Sequence, residues 1–134
     1  QVVAAIRGVT TGQYAKHIRE VYEKMEIAPE HEYLRETLKC MTGKLEAATA
    51  KVAEAGSTEY TDFHARRLVE TAGHIIITYL LARQAGESAE YIDSARIYCK
   101  LAESKVAEAY NYLMHSDVED VDLFKKVGQE EAIG

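Results

Sequence analysis

The sequence contains few of the residues that interrupt helices. Its 134 residues include one proline, eight glycines and no tryptophan. Such a composition does not suit a many-turned β sandwich, a collagen-like chain or a disordered tail. Hydrophobic residues make up 47% of the chain, enough for one compact core, while the length leaves no room for two full-sized domains. We therefore predict a single helical domain.

Cysteine is also scarce. The two cysteines, Cys40 and Cys99, lie far apart, and neither has a second cysteine or a histidine beside it at ligand spacing. This pattern indicates neither a disulfide framework nor a zinc knuckle. Reduced thiols are typical of a cytosolic protein, so we predict a cytoplasmic location.

Long apolar runs and an excess of positive charge are missing as well. The longest purely apolar run, Ile75-Ile76-Ile77, falls far short of the roughly 20 apolar residues of a membrane-spanning helix. The 16 basic residues are outnumbered by 22 acidic ones, for a net charge of −6. This sign opposes binding to nucleic acid or to an anionic bilayer. We expect neither as a partner.

Apolar residues recur at steps of three and four, which is the spacing of one face of a helix. Turn-forming residues divide this pattern into four stretches. The four predicted stripes are Tyr14, Ile18, Val21 and Met25; Leu34, Leu38, Met41, Leu45, Ala48, Val52 and Ala55; Ala65, Leu68, Ala72, Ile75, Tyr79 and Ala82, widened by Val69, Ile76 and Leu80; and Ile92, Ala95, Cys99, Ala102, Val106, Ala109 and Leu113. The third helix is expected to be the most buried.

Short links between consecutive helices make neighbours antiparallel. We therefore predict an all-α fold, an up-down-up-down four-helix bundle over residues 10–115 with a short C-terminal helical tail. Residues 1–9 are interpreted as the end of a helix from an upstream domain, and residues 116–134 as an acidic C-terminal tail. A short amphipathic turn in the tail is expected to fold back on the bundle through Val118, Val121, Leu123 and Phe124.

Three residues are expected to mark helix ends. Pro29 suits a first helical turn, because it lacks the amide hydrogen that would have no partner there. Gly86 is expected to end the third helix, and Ser88 to cap the start of the fourth.

A long four-helix bundle can hold a di-iron carboxylate centre, which needs Glu-x-x-His on two helices. The residues three positions before the five histidines are Tyr14, Ala28, Thr61, Thr71 and Tyr112. The motif is therefore missing, and we predict no metal site. Glycine-rich phosphate loops and nucleophile-elbow motifs are missing too, so we predict no catalytic and no cofactor-binding residue within this chain.

His74 is the histidine that stands in apolar sequence, and Glu70 lies one helical turn before it. A hydrogen bond to Glu70 could hold the imidazole ring. We interpret Glu70 and His74 as a polar core pair, although a tyrosine hydroxyl could satisfy the ring equally well. A catalytic dyad in a bundle enzyme would have the same sequence pattern but is a much rarer arrangement.

Tyrosine is the dominant aromatic residue, with nine tyrosines against two phenylalanines. Tyr91, Tyr98 and Tyr112 recur at multiples of seven on the fourth helix and so share one flank. This flank suits protein docking, because tyrosine offers contact area at low entropic cost. Tyrosines at a bundle edge that bury their rings give the same pattern. The charged residues Lys44, Glu46, Lys51, Glu54, Arg66 and Arg67 are interpreted as solvated helix faces.

The opening Gln1-Val2-Val3-Ala4-Ala5-Ile6-Arg7-Gly8 resembles the segment of flavin-dependent acyl-CoA dehydrogenases that follows a Tyr-Glu-Gly-Thr stretch and its Gln-(Ile/Leu)-Gln continuation. The stretch from Gly73 to Thr78 and the helix from Tyr91 to Tyr112 resemble the C-terminal helical extension domain that some bacterial members carry. The resemblance implies that the chain is part of a longer protein.

The resemblance also implies a function for the parent enzyme. Such an enzyme oxidises an acyl-CoA thioester to the trans-2-enoyl-CoA with FAD, and an electron-transferring flavoprotein reoxidises the flavin. The glutamate that removes the α proton would lie upstream of Gln1, so this chain would bind no flavin. The domain itself would have a structural role in subunit or domain packing, with the remainder of the parent and further copies of the enzyme as partners. The alternative is a freestanding helical-bundle interaction module without catalytic activity.

Overall fold

The computed structural model describes residues 13–24 and 29–133. Five α-helices follow one another in these residues: α1 (Gln13–Lys24), α2 (Glu32–Ala55), α3 (Thr58–Glu87), α4 (Ile92–His115) and α5 (Val118–Ile133). Short 3-10 turns, Pro29–His31 and Ala89–Tyr91, precede α2 and α4. The described residues contain no strand, which confirms the all-α prediction. The predicted upstream helix of residues 1–9 lies outside the described residues.

The apolar stripes of α2, α3 and α4 form one core. The residues that were predicted from the periodicity and are buried are Leu34, Leu38, Met41, Leu45, Ala48, Val52, Ala65, Leu68, Ala72, Ile75, Ala82, Ala95, Cys99, Ala102, Val106 and Leu113. From α1, Ile18 and Tyr22 join this core. The prediction was wrong at Ala55, which is exposed. It was also wrong for Ile76 and Leu80 of the widened stripe of α3, which are 37% and 46% exposed, whereas the half-buried Val69 packs against the core.

The helices α2, α3 and α4 all pack against one another, and α1 lies mainly against α2. Tyr60, early in α3, meets Ser116 after the end of α4, and His74 in mid-α3 meets Tyr98. These contacts make α3 and α4 antiparallel. Lys51 near the end of α2 also reaches Ser116, so α2 runs in the same direction as α4. Fully buried Ala102 of α4 lets the helix backbones approach closely.

The link between α2 and α3 contains a glycine C-terminal cap and a serine N-terminal cap. Gly56 ends α2 with a φ of 63°, a left-handed conformation that glycine adopts without steric cost. Ser57 caps α3, since its hydroxyl accepts a hydrogen bond from the Tyr60 amide at 3.2 Å. The expected end at Gly86 was wrong, because α3 continues to Glu87. Ser88 is extended and its side chain makes no capping bond, so it is not the predicted side-chain cap.

The C-terminal tail is helical, as predicted, but its helix is longer than expected. Instead of a short turn, residues Val118–Ile133 form a helix of 16 residues. Its first turn is fixed by a reciprocal pair of side-chain caps, in which the Asp117 amide donates to the Asp120 carboxylate at 2.7 Å and the Asp120 amide donates to the Asp117 carboxylate at 3.2 Å. The helix buries Val121 against the bundle, whereas Phe124 remains 67% exposed. The two side-chain caps satisfy backbone amides at the start of the helix and so fix where it begins.

Gly43 gives a test of helix stability in α2. It lies in the exposed face of mid-α2, and a Cβ added there would have no atom within 4 Å. We expect Gly43→Ala to raise the free energy of unfolding by about 0.5–1 kcal/mol, because glycine costs that much in a helix interior. Urea unfolding measures the change. The matched control is Gly56→Ala, which has equal space but a positive φ and is expected to destabilise by about 1 kcal/mol; equal effects of the two would contradict this account.

Candidate functional site

A groove of about 530 Å³ lies between α3 and α4 and contains several of the predicted site residues. Its lining residues are Arg67, Glu70, Thr71, His74, Lys105, Glu108, Ala109 and Tyr112. The sequence left two hydrogen-bond partners open for His74, namely Glu70 and a tyrosine hydroxyl. In the structure the partner is a tyrosine, because His74 Nδ1 lies 3.0 Å from Tyr98 Oη. Glu70 is exposed in the same groove.

The tyrosine flank turns toward α3. Burial raises the pKa of the half-buried Tyr98 above its ordinary value, and its hydroxyl lies within hydrogen-bonding distance of His74 Nδ1. Tyr112 is 48% exposed and stacks on the Arg67 guanidinium, 4.3 Å from the ring centroid. Tyr91, in the 3-10 turn, is 40% exposed. Two of the three tyrosines therefore pack against α3, and a docking role for the flank stays a prediction.

The groove carries mixed charge. Arg67 and Lys105 bring two positive charges, and Glu70 and Glu108 bring two negative ones. Interleaved acids oppose the negative pyrophosphate of a dinucleotide, which proteins hold with helix N-termini and glycine-rich turns. The groove lies along the middle of α3 and the C-terminal half of α4, away from the start of either helix, and no glycine lines it. These residues do not fit FAD.

A buried polar cluster that the sequence did not indicate lies where α4 meets α5. His64 is completely buried, and its Nε2 lies 2.9 Å from Ser116 Oγ. The hydroxyl of the buried Tyr60 lies 2.9 Å from the same Ser116 oxygen. Ser116 Oγ also donates to the Leu113 carbonyl at 2.6 Å. Ser116 therefore joins α3 to the end of α4.

His64 is neutral at ordinary pH. Burial, together with the positive charges of Arg67 and Lys51, lowers its pKa from 6.5 to about 4, against a small opposing effect of Asp120. Its Nδ1 is buried and has no hydrogen-bond partner. A serine beside a histidine can be a nucleophile and its base. Here both side chains are buried and serve as hydrogen-bond partners within the core, so we interpret the cluster as structural.

Lys51 was interpreted as part of a solvated face, and the structure corrects this. Its ammonium group donates to the carbonyls of Leu113, Met114 and Ser116 at 3.1, 2.7 and 2.5 Å. These carbonyls belong to the last turn of α4 and to the residue after it, where helical partners are missing and the helix dipole is negative. The ammonium group of Lys51, which belongs to α2, thus caps the C-terminus of α4.

The described residues contain no group of three or more His, Cys, Asp or Glu side chains that could hold a metal ion. Within the same residues, no helix combines the length and the apolar character needed to cross a membrane.

Comparison with known proteins identifies the family. The model of the acyl-CoA dehydrogenase C-terminal family matches residues 10–121. A similar solved structure is the crystal structure of the acyl-CoA dehydrogenase family protein from Porphyromonas gingivalis, with 36% sequence identity and a TM-score of 0.78, covering 84% of this chain and 97% of that one. Among curated proteins, none matches the chain. A family match over most of the chain and a homologous structure together show that this chain belongs to the acyl-CoA dehydrogenase C-terminal domain family.

Proposed function

We propose that the chain is the C-terminal accessory domain of an FAD-dependent acyl-CoA dehydrogenase, with a structural role in subunit or domain packing. The parent enzyme oxidises acyl-CoA to trans-2-enoyl-CoA in the cytoplasm, works as a homo-oligomer and passes its electrons to an electron-transferring flavoprotein. Catalysis and flavin binding take place outside these 134 residues.

The observation that carries the structural role is the second apolar face of α3. This helix already buries a complete stripe that includes Leu68, Ile75 and Ala82, yet Ile77 and Leu80 on its opposite side are 44% and 46% exposed. A helix that is apolar on more than one side is typical of a helix enclosed between two bodies. The bundle supplies one of these bodies, and the remainder of the parent enzyme supplies the other.

The mixed charge of the groove between α3 and α4 supports a site of catalysis elsewhere. Arg67 is engaged in the stack on Tyr112 and donates to the Phe63 carbonyl at 3.3 Å. His74 is engaged with Tyr98. Two groups of the groove that could bind an anion or transfer a proton, Arg67 and His74, are therefore engaged in contacts between α3 and α4.

The test is an absorbance spectrum of the protein expressed from its complete reading frame, recorded anaerobically before and after addition of a short-chain acyl-CoA. We expect a flavin band that bleaches on addition, because the hydride from the β carbon reduces the flavin. A colourless protein, or a reading frame that begins near Gln1, would contradict the proposal and favour the freestanding interaction module.

A further inference from the structure

The outer side of α3 has a regular pattern of its own. Eight residues follow one another at alternating steps of four and three, as in the seam of a two-helix coiled coil. They are Asp62, Arg66, Val69, Gly73, Ile76, Leu80, Arg83 and Glu87. We call these residues the outer seam. The spacing fits a second helix that lies nearly parallel or antiparallel to α3, at about 20° between the axes.

Most of the outer seam is open to a partner. The two charged residues at each end of the seam are exposed, and so are Ile76 and Leu80. Val69 and Gly73 are half-buried. A Cβ added to Gly73 would have no atom within 4 Å, so packing within the described residues does not require a glycine there. A glycine in a helix interior is unfavourable, but it allows the backbone of a second helix to approach closely.

The order of charges in the outer seam selects among partners. Four apolar residues occupy the centre of the outer seam. A positive charge stands on each side of them, at Arg66 and Arg83, and a negative charge stands at each end, at Asp62 and Glu87. In a parallel pair of two α3 helices, each charge would lie opposite its own copy. In an antiparallel pair, Asp62 would face Glu87 and Arg66 would face Arg83 of the other copy. Like charges directly opposite one another are destabilising, so the seam opposes pairing with a second copy of itself.

We propose that the outer seam docks a helix of the parent dehydrogenase that lies outside these 134 residues and bears the complementary order of charges. That helix has about four apolar seam positions in its centre, acidic residues on both sides of them and basic residues at the ends, by analogy with the pairing rules of coiled coils. The inference rests on the proposed function, because the partner belongs to the parent enzyme.

Cysteine labelling of the protein from the complete reading frame tests the inference. In a Cys40→Ser background, which removes the exposed native thiol, Leu80→Cys places a thiol in the outer seam. The matched variant is Ile97→Cys on the outer side of α4, where the side chain is 72% exposed. Both thiols are expected to react readily with a maleimide in the 134-residue chain. In the complete protein, we expect labelling at position 80 to be at least about tenfold slower, because a covered thiol is not accessible, while position 97 is unchanged.

A charge reversal tests the identity of the partner. Arg66→Glu with Arg83→Glu, made in the complete protein, should return labelling at position 80 toward the rate of the 134-residue chain. Arg96→Glu, an exposed arginine of α4 outside the outer seam, should leave the protection intact. Circular dichroism before labelling confirms that each variant keeps its helices.

The outcomes separate this inference from the proposed function. A flavin-containing complete protein in which position 80 labels as fast as in the 134-residue chain would overturn the docking inference and leave the proposed function standing. If labelling at position 80 stays slow after the charge reversal, the partner does not recognise the charges of the outer seam, and the proposed partner is wrong. Protection that appears in the 134-residue chain as its concentration rises would identify a second copy instead. A reading frame no longer than this chain would remove the partner and overturn both.

Discussion

Acidification from about pH 7 to about pH 4.5 is expected to destabilise the domain by about 2 kcal/mol through His64 alone. The pKa of His64 is about 4 in the folded protein, against 6.5 for an exposed histidine. Between these two values the unfolded chain binds a proton that the folded one does not. The stabilisation is therefore complete above pH 6.5 and is lost as the pH falls toward 4. Urea unfolding at several pH values measures this loss.

The substitution His64→Gln isolates this effect from the carboxylates that also titrate under acid. An uncharged glutamine keeps a polar group near Ser116 but has no proton to bind. We expect its unfolding free energy to vary with pH by about 2 kcal/mol less than that of the unaltered protein over the same interval. His115→Gln is the control, since His115 is exposed. If both substitutions leave the pH dependence as it was, His64 is not the residue responsible.

His64 also illustrates what sequence patterns can and cannot give. The sequence drew attention to His74 because its neighbours in the chain are apolar, whereas burial depends on angular position around the helix. A step of four residues backward from Leu68, along the buried stripe of α3, arrives at His64, which is completely buried. The periodicity that predicted the core therefore contained the signal, but only for a search that treated histidine as a possible core residue.

The hydrogen-bond partners of His64 could not be predicted from the periodicity of single helices. The contact between His64 and Ser116 spans 52 residues of sequence, and that between Lys51 and the Ser116 carbonyl spans 65. Such contacts depend on how α2, α3 and α4 are placed together, which the stripe of each helix does not specify. The stripes predicted the apolar core well because burial of one face follows from local spacing.

The outer seam of α3 could be predicted only in part from the sequence. Its apolar residues Val69, Ile76 and Leu80 were recognised in the sequence and assigned to the core as a widening of the buried stripe. The bundle covers only one side of α3, so Ile76 and Leu80 remain exposed. Periodicity shows that a face is apolar, but which body covers it follows only from the assembled structure.

Lys51→Met is expected to lower the free energy of unfolding by about 2 kcal/mol, because hydrogen bonds to charged groups contribute about 1.5–3 kcal/mol and the last carbonyls of α4 would lose their cap. Methionine keeps an unbranched apolar chain in place of the lysine stem. Lys39→Met on the same helix is the matched control, since Lys39 is exposed and its replacement is expected to change stability by less than about 0.5 kcal/mol. Urea unfolding at neutral pH compares the two. Equal effects would show that Lys51 acts only as a surface charge.

The same substitution should alter the response to acid. The positive charge of Lys51 is one of the causes that hold the pKa of His64 low, so its removal raises that pKa toward the value of the unfolded chain. The pH-dependent loss of stability would then be smaller in Lys51→Met than in the unaltered protein, and unchanged in Lys39→Met. The helix cap and the buried histidine share Ser116, so the two substitutions Lys51→Met and His64→Gln should not be additive. Additive effects would mean that the cap of α4 and the neutral histidine stabilise the domain independently.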